Sequence, residues 1–510
     1  MQSYVYVILL ATVTFIGCSQ DTDLSEMSKE SLSGGPYQTT GFKVGEVTST
    51  EAIIWARTTR GAVRVSAESP MPEFLYRNPE NGELIEGPDS LVPNVGQWDP
   101  VFSYPPGATV ETIEGAAPGA KGQVRVRYRP TNQSRWATTD WEPVDPERDF
   151  TKQIRLQDLQ PGMHYELEVE ARAPGVDAVS SSLQGRFKTA PRADDPARIV
   201  FALSSCQEYI TQDAPSGGFK IYPSILEINP DFYINTGDII YYDRWAKNLE
   251  LARWVWARMF SLPTNFDFHR QISSYFIKDD HDTWMNDAWP GRDVKLMGDF
   301  TFAEGQSTFL EQVPMGGRTY RTYRWGKDVQ IWMVEGRDYR SPNTDPDGPE
   351  KTIWGAEQMA WFKDTVEKSD ATFKILVSPT PIVGPDRDNK FDNHANIGFQ
   401  FEGSLLRNFI AQQDNMIVIT GDRHWQYVSI DSQTGLREYS IGPASNEHAD
   451  GWRNDDIRPE HQYLNVVGGF MTVTSERLDA TPRLILRHHG VDGNILNEDT
   501  LVATIQSASK

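Results

Sequence analysis

Four stretches of this 510-residue chain end in side chains able to bind metals or move protons. "RIVFALSSC" ends in Cys206, and "DFYINTGD" ends in Asp238, with Tyr241 three residues on. "SSYFIKDDHD" closes on Asp279, Asp280, His281 and Asp282, and "NMIVITGDRH" on Asp422 and His424. Taken singly, each is ordinary. An acid at a strand end is usually a turn or cap residue, and a His after an acid is most often a structural pair. In chain order, however, they spell C…GDxxY…DDHD…GDxH. Thiolate, carboxylate, phenolate and imidazole are all metal-ligand types, and two metals sharing one carboxylate would organise them.

Such residues need a scaffold that brings strand ends together. With "DVQIWMVEGR" and "TFKILVSPT", the chain after residue 195 holds six short apolar runs, each ending in polar residues. Between them lie stretches with apolar residues at three- and four-residue spacing, notably 354–369 and 402–413. Buried strands alternating with amphipathic helices predict an α/β layered core over 198–510. In such sheets the site lies beyond the carboxyl ends of the strands, which also deliver Arg337 and Ser378.

Before residue 195 the pattern is different. "AIIWAR" (52–57), "QVRVRYR" and "YELEVEAR" alternate with period two between Pro/Gly turns, which predicts an antiparallel β-sandwich over 41–190. "LQDLQPGMHYELEV" resembles the corner of fibronectin type III-like domains, where a Tyr hydroxyl ties down the turn. Residues 68–120, rich in Pro, Gly and acids, form an unassigned insertion, and 189–198 reads as a linker.

The strand-end motifs resemble those of binuclear metallophosphatases, and most closely the PhoD-like alkaline phosphatase D family, with its first Cys, GDxxY, DDHE/D and GDxH. "FKVGEVTSTEAIIWART", "YRTYRWGKDVQIWMVEGRDYRS" and "WGAEQMAWFKDTVEKSDATFKILVSPTPI" are also similar to that family, so the resemblance spans roughly residues 40 to 500. It implies an αββα metallophosphatase sandwich behind a fibronectin-like β domain. It further implies that Cys206, Asp238, Tyr241 and His424 bind Fe³⁺, and that Asp238 bridges to a second metal held by Asp280 and Asp422. His281 would protonate the leaving oxygen. With up to five anionic ligands and one imidazole, the set suits a trivalent ion plus Ca²⁺ or Mg²⁺ better than two zincs, although Zn²⁺ at the second position stays open. The family's Trp-Asp-x-Tyr pattern is replaced by "DNHANIGFQFEG" (392–403), so substrate contacts should differ. Arg337 and Arg340 either clamp phosphate or pair with acids of the fold. His394 is a candidate phosphate contact, set against a plain surface His. The Trp-rich "LARWVWARMF" (251–260) is a lid or, at helical spacing, core packing.

The expected activity is hydrolysis of phosphomonoesters or phosphodiesters by a metal-activated water. A phospholipase D-type action on lipids is the alternative, and a surface binding protein with an inactive hydrolase core the reading of a different class. A net charge of −22 disfavours nucleic acid and anionic lipid as partners and leaves a small phosphate ester as substrate. The N-terminal apolar stretch ends in Gly17-Cys18 and is shorter than the roughly 20 residues that span a bilayer, which suits a signal peptide over 1–18. The ending resembles a bacterial lipobox with Cys18 lipidated, followed by a polar tether over 19–40. A monomeric, exported, periplasmic or cell-surface lipoprotein is therefore expected, touching membrane only through its anchor. Cys206 is then the one remaining thiol, either a small core residue or a ligand.

Overall fold

The computed structural model describes residues 34–86 and 97–504. The signal segment, Cys18 and the tether up to residue 33 lie outside the described residues. The expected tether does not extend to 40: Tyr37 N donates to Thr59 O at 2.8 Å, Gln38 Nε2 donates to Val169 O at 3.0 Å, and Gln38, Thr39 and Thr40 are buried.

Residues 42–188 build two antiparallel sheets facing each other. One joins Phe42–Gly45, Ala52–Arg57 and Thr151–Leu156; the other orders Ser181–Lys188, His164–Arg172 and Gln123–Pro130, with two short strands on the outer edge. Period two explains the faces: Val124, Val126, Leu167 and Val169 point into the core, while Arg125, Arg127, Glu168 and Glu170 point out. Tyr165 Oη accepts from Gln160 N at 2.8 Å and fixes the corner before its strand. The insertion is a small three-stranded sheet of Leu84–Glu86, Glu73–Arg77 and Asp99–Ser103. Its Phe74, Tyr76 and Trp98 pack into the same cluster as Trp254 and Trp256 of the later helix Leu249–Phe260, so it braces the α/β part.

From residue 199 the chain forms two mixed sheets. The first runs Ser274–Phe276, Phe232–Asn235, Ile199–Ser204, Gly469–Leu478, Thr481–Gly490, Ile495–Val502. The second runs Arg321–Trp325, Val329–Met333, Phe373–Ser378, Met416–Thr420, Arg437–Ile441, Gln426–Ile430, His461–Asn465. Phe201, Leu203 and Ile234 of one sheet share a core with Ile375, Val377 and Ile419 of the other. The alternate residues face outward onto helices. Ala202 and Tyr233 meet Tyr222 and Ile225 of helix Ile221–Ile228, and Leu376 and Val418 meet Phe362 and Leu406 of helices Gly355–Glu367 and Gln400–Ala411. The layers are therefore helix, sheet, sheet, helix. Residues 251–260 are core packing, since the helix Leu249–Phe260, capped by Asn248 Oδ1 on Leu251 N at 2.9 Å, is buried along most of its length.

Candidate metal centre

The GD dipeptides of GDxxY and GDxH, Gly237-Asp238 and Gly421-Asp422, sit where the sheets meet, and each glycine is there for space. A Cβ on Gly237 (φ 109°) would lie 2.7 Å from Asp279 Cβ, and one on Gly421 would lie 2.5 Å from Thr236 Oγ1. Close backbone approach thus presses the ends of strands Phe232–Asn235 and Met416–Thr420 together. Three residues at these strand ends take up an uncommon backbone conformation. Cys206, Asp238 and Asp422 have φ of 47°, 54° and 61°, a region non-glycine residues seldom enter and one that gathers at functional sites. Asp282 holds the turn by accepting from Asp238 N and Ile239 N at 2.6 Å and from Ile240 N at 3.0 Å.

Three ligand groups result, each with its donor atoms within 4.8 Å: Cys206, Asp238 and His424; Asp238, Asp280 and His281; Asp238, Asp279 and Asp422. Asp238 belongs to all three. Tyr241 joins the cluster through rings, with its centroid 4.1 Å from that of His281 and its hydroxyl 3.3 Å from His448 Nε2. Of the two residues considered for substrate, Arg337 lies at the cluster, its Nε 2.6 Å from Asp279 Oδ1 and a terminal nitrogen 3.6 Å from Asp280 Oδ2. His394 does not. It is fully buried, neither a surface residue nor part of the cluster, because Glu402 takes its Nε2 at 2.8 Å and Trp354 packs against its ring. Arg340 is likewise buried, donating to Asp392 O, and Ser378 Oγ is spent on Thr380 O.

The chemistry of the set fits a cation. Asp238 Oδ1 and Asp279 Oδ2 are buried with no hydrogen-bond partner, which is costly unless something positive meets them. Burial pushes the Cys206 thiol, the Asp238 carboxyl and the Tyr241 phenol well above their usual pKa values, and mutual repulsion with neighbouring acids adds to it. Asp280 behaves oppositely: burial works against it, but Arg337 and His281 hold its carboxyl below the ordinary range. A buried anionic group that destabilises its own charged form is what a metal ion reverses.

Residues 201–441 match the PhoD-like phosphatase family. The chain carries a PhoD-like phosphatase domain. Over 428 residues it is 22% identical to alkaline phosphatase D of Bacillus subtilis (strain 168), covering 68% of this chain and 71% of that protein. Its fold is similar to a solved structure of PhoD, with a TM-score of 0.64 at 16% identity over 92% of this chain and 90% of that one. It is also similar to the purple acid phosphatase PPD1 from yellow lupin seeds, with a TM-score of 0.56 at 12% identity over 92% of this chain and 75% of that one.

Around this centre lie residues that carry no motif. Asp243 holds His281 Nδ1 at 3.0 Å and also accepts from Asn286 N at 3.2 Å. His448 places its ring 4.0 Å from that of His424, and its loop is tied in by Ala444 N donating to Cys206 O at 3.2 Å. Asp450 takes His424 Nδ1 at 2.8 Å, and Arg423, fully buried, pairs with Asp422 and reaches Asp386 at 3.2 Å. Asp243 has a weak signal, lying five residues beyond Asp238 in the same turn. His448 and Asp450 have none, standing in a loop without periodicity.

Proposed function

We propose that this chain is an exported, metal-dependent phosphoesterase that hydrolyses phosphomonoesters or phosphodiesters. The single observation that carries the reading is the sharing of Asp238 by three largely buried ligand groups at the strand ends of the region that matches the PhoD-like phosphatases. Cys206, Asp238, Tyr241 and His424 would hold Fe³⁺, and Asp238, Asp280 and Asp422 would hold Ca²⁺, with Asp279 close enough to take part. Bound there, the metals would polarise the phosphoryl oxygens and make a water acidic enough to attack phosphorus.

The rest of the chemistry belongs to the chain. His281 has Nδ1 engaged by Asp243, so Nε2 is the nitrogen left to give its proton to the leaving oxygen. Although burial disfavours its charged form, Asp243, Asp280 and Asp238 keep His281 protonated well above the ordinary range. Arg337, locked by Asp279 and with its terminal nitrogens free of hydrogen-bond partners, is placed to steady negative charge beside Asp280. The two-sheet module before residue 190 is proposed as fibronectin type III-like, supported by the Tyr165 corner. Export and a Cys18 anchor are proposed from the N-terminal sequence.

The test is turnover of a phosphomonoester, a phosphodiester and a phosphatidylcholine, before and after metal removal. Activity lost on chelation and restored by Ca²⁺ with iron in place is expected. The iron-loaded protein should absorb visible light through the Tyr241 phenolate and lose or shift that band in Tyr241→Phe. Protein that holds neither iron nor calcium and turns over none of the three would favour a binding role instead.

A further inference from the structure

A cavity of about 550 Å³ opens beside the candidate centre, within the size range of small-ligand sites. It hangs on the segment that carries His281. Asp243 accepts from Asn286 N, and the next residue, Asp287, donates its backbone N–H to Asp280 Oδ2 at 2.6 Å while its side chain lines the cavity. Asp287 itself sits at φ 54°, so this hinge between ligand and cavity wall is held in an uncommon conformation. Lys390 Nζ lies 3.2 Å from the Asp287 carboxylate and offsets the charge of the acid nearest the candidate centre.

Three large apolar side chains, Trp289, Phe391 and Ile397, line the cavity beside polar and charged ones. Trp289 carries the Arg292 guanidinium 4.5 Å over its ring, and Arg292 is itself fixed by Asn286 O at 2.8 Å and Asp287 O at 3.0 Å. On the opposite side Phe391 is 46% exposed, and Ile397, within the 392–403 stretch, is 62% exposed. Large apolar side chains left open at the mouth of a cavity, one of them an aromatic ring, favour a flat apolar partner. Asn343 Oδ1, also in the lining, is buried without a hydrogen-bond partner and offers one acceptor at the edge of such a ring.

We propose that this cavity is the leaving-group subsite and that it selects phosphate esters of aromatic alcohols, with Phe391, Ile397 and Trp289 gripping the ring. The proposal rests on the phosphoesterase reading above. It places the departing group on the same segment as its proton donor, which is what efficient protonation of that oxygen requires.

Benzyl and methyl esters separate the idea cleanly, because their leaving alcohols are of nearly equal acidity and only one has a ring. The pair is measured as phosphomonoesters and as methyl phosphodiesters. A kcat/KM ratio of about tenfold or more in favour of benzyl is expected, the range in which apolar pockets discriminate. The ratio should fall towards one in Phe391→Ala combined with Ile397→Ala, and survive in Phe391→Trp, which keeps a ring. Both positions are exposed, so loss of folding is not expected to obscure the result. Competition by benzylphosphonate against methylphosphonate should follow the same order. A ratio near one in the unmodified protein, or one unmoved by the double substitution, overturns the subsite alone. Turnover in neither series overturns the phosphoesterase reading and the subsite with it.

Discussion

Two charged regions of this molecule use the same side-chain types to opposite ends. On the outer face of the N-terminal sheet, Arg125, Arg127 and Arg129 stand directly across from Glu170, Glu168 and Glu166, with contacts of 2.5, 2.5 and 2.7 Å. Trp141 stacks on Arg125, and Trp136 on Arg127 and Arg129. Every acid there has its own cation and a share of water. Around Asp238 the acids crowd one another instead, most of them fully buried; Arg337 pairs with Asp279 and Asp280, and Arg423 with Asp422, Asp386 and Asp392. Among the described residues no Lys or Arg pairs with Asp238, and its Oδ1 has no hydrogen-bond partner. What separates a structural charge cluster from a site is therefore the unanswered acid, not the number of charges.

The sharpest way to break that contrast is to neutralise Asp238. Loss of an outer hydrogen-bond partner in a metal site typically costs about 10–100-fold, so removing an oxygen shared by three ligand groups should lower turnover by on the order of 10³-fold or more. Asp238→Asn should also purify with less metal. In the chelated state the sign reverses, because the substitution removes a buried carboxylate that repels Asp280 and Asp279. Metal-free Asp238→Asn should then unfold at or above the temperature of metal-free unmodified protein, as thermal denaturation would read. Full metal content and turnover in the variant would reduce the cluster to a buried acid network.

A smaller effect is expected one step out. Asp243 makes the one hydrogen bond that orients His281 Nδ1. Asp243→Asn should lower turnover of alkyl esters by about 10–100-fold, and His281→Ala by about 10²–10⁴-fold. Aryl esters, whose leaving oxygen needs no proton, should lose far less in both. Equal losses on the two ester classes would assign these residues to structure rather than to proton transfer.

The contrast also marks what the sequence could disclose. Cys206, Asp238, Asp280 and Asp422 were legible because each ends an apolar run, and strand ends in layered sheets converge. The helices at 354–369 and 402–413 were legible because their apolar residues repeat with the helical period, and they appear as Gly355–Glu367 and Gln400–Ala411. The strands from 461 to 502 were not read, although they supply half of the first sheet and one edge of the second. Their polar outer positions, such as those of Ile495–Val502, dilute the apolar signal. His448 was invisible because contact with Tyr241 and His424 is made by a loop folding back across the cluster, a long-range event that leaves no local pattern. His394 misled for the reverse reason. Its polar neighbours suggest a surface loop, yet Glu402, eight residues on, satisfies its ring and lets it be buried.

The least effect should come from the paired region, which gives it value as a control. Glu168→Gln removes one charge from the ladder where Arg127 meets it at 2.5 Å, with side-chain exposures of 33% and 18%. Arg127 is not stranded, since Glu170 remains 3.8 Å away and the Trp136 ring lies 5.1 Å from the guanidinium. Cross-strand charge pairs of this kind contribute about 0.2–1 kcal/mol, so the variant should lose no more than that and keep its metals and turnover. Val126, one residue before Arg127 in the same strand, points into the core and is fully buried. Val126→Ala should cost about 2–3 kcal/mol through lost burial and the space left behind. Paired denaturation curves would show the order directly. A Glu168→Gln loss as large as that of Val126→Ala, or any change in metal content, would mean that the ladder is coupled to the rest of the molecule and does not serve as the neutral case against which Asp238 stands out.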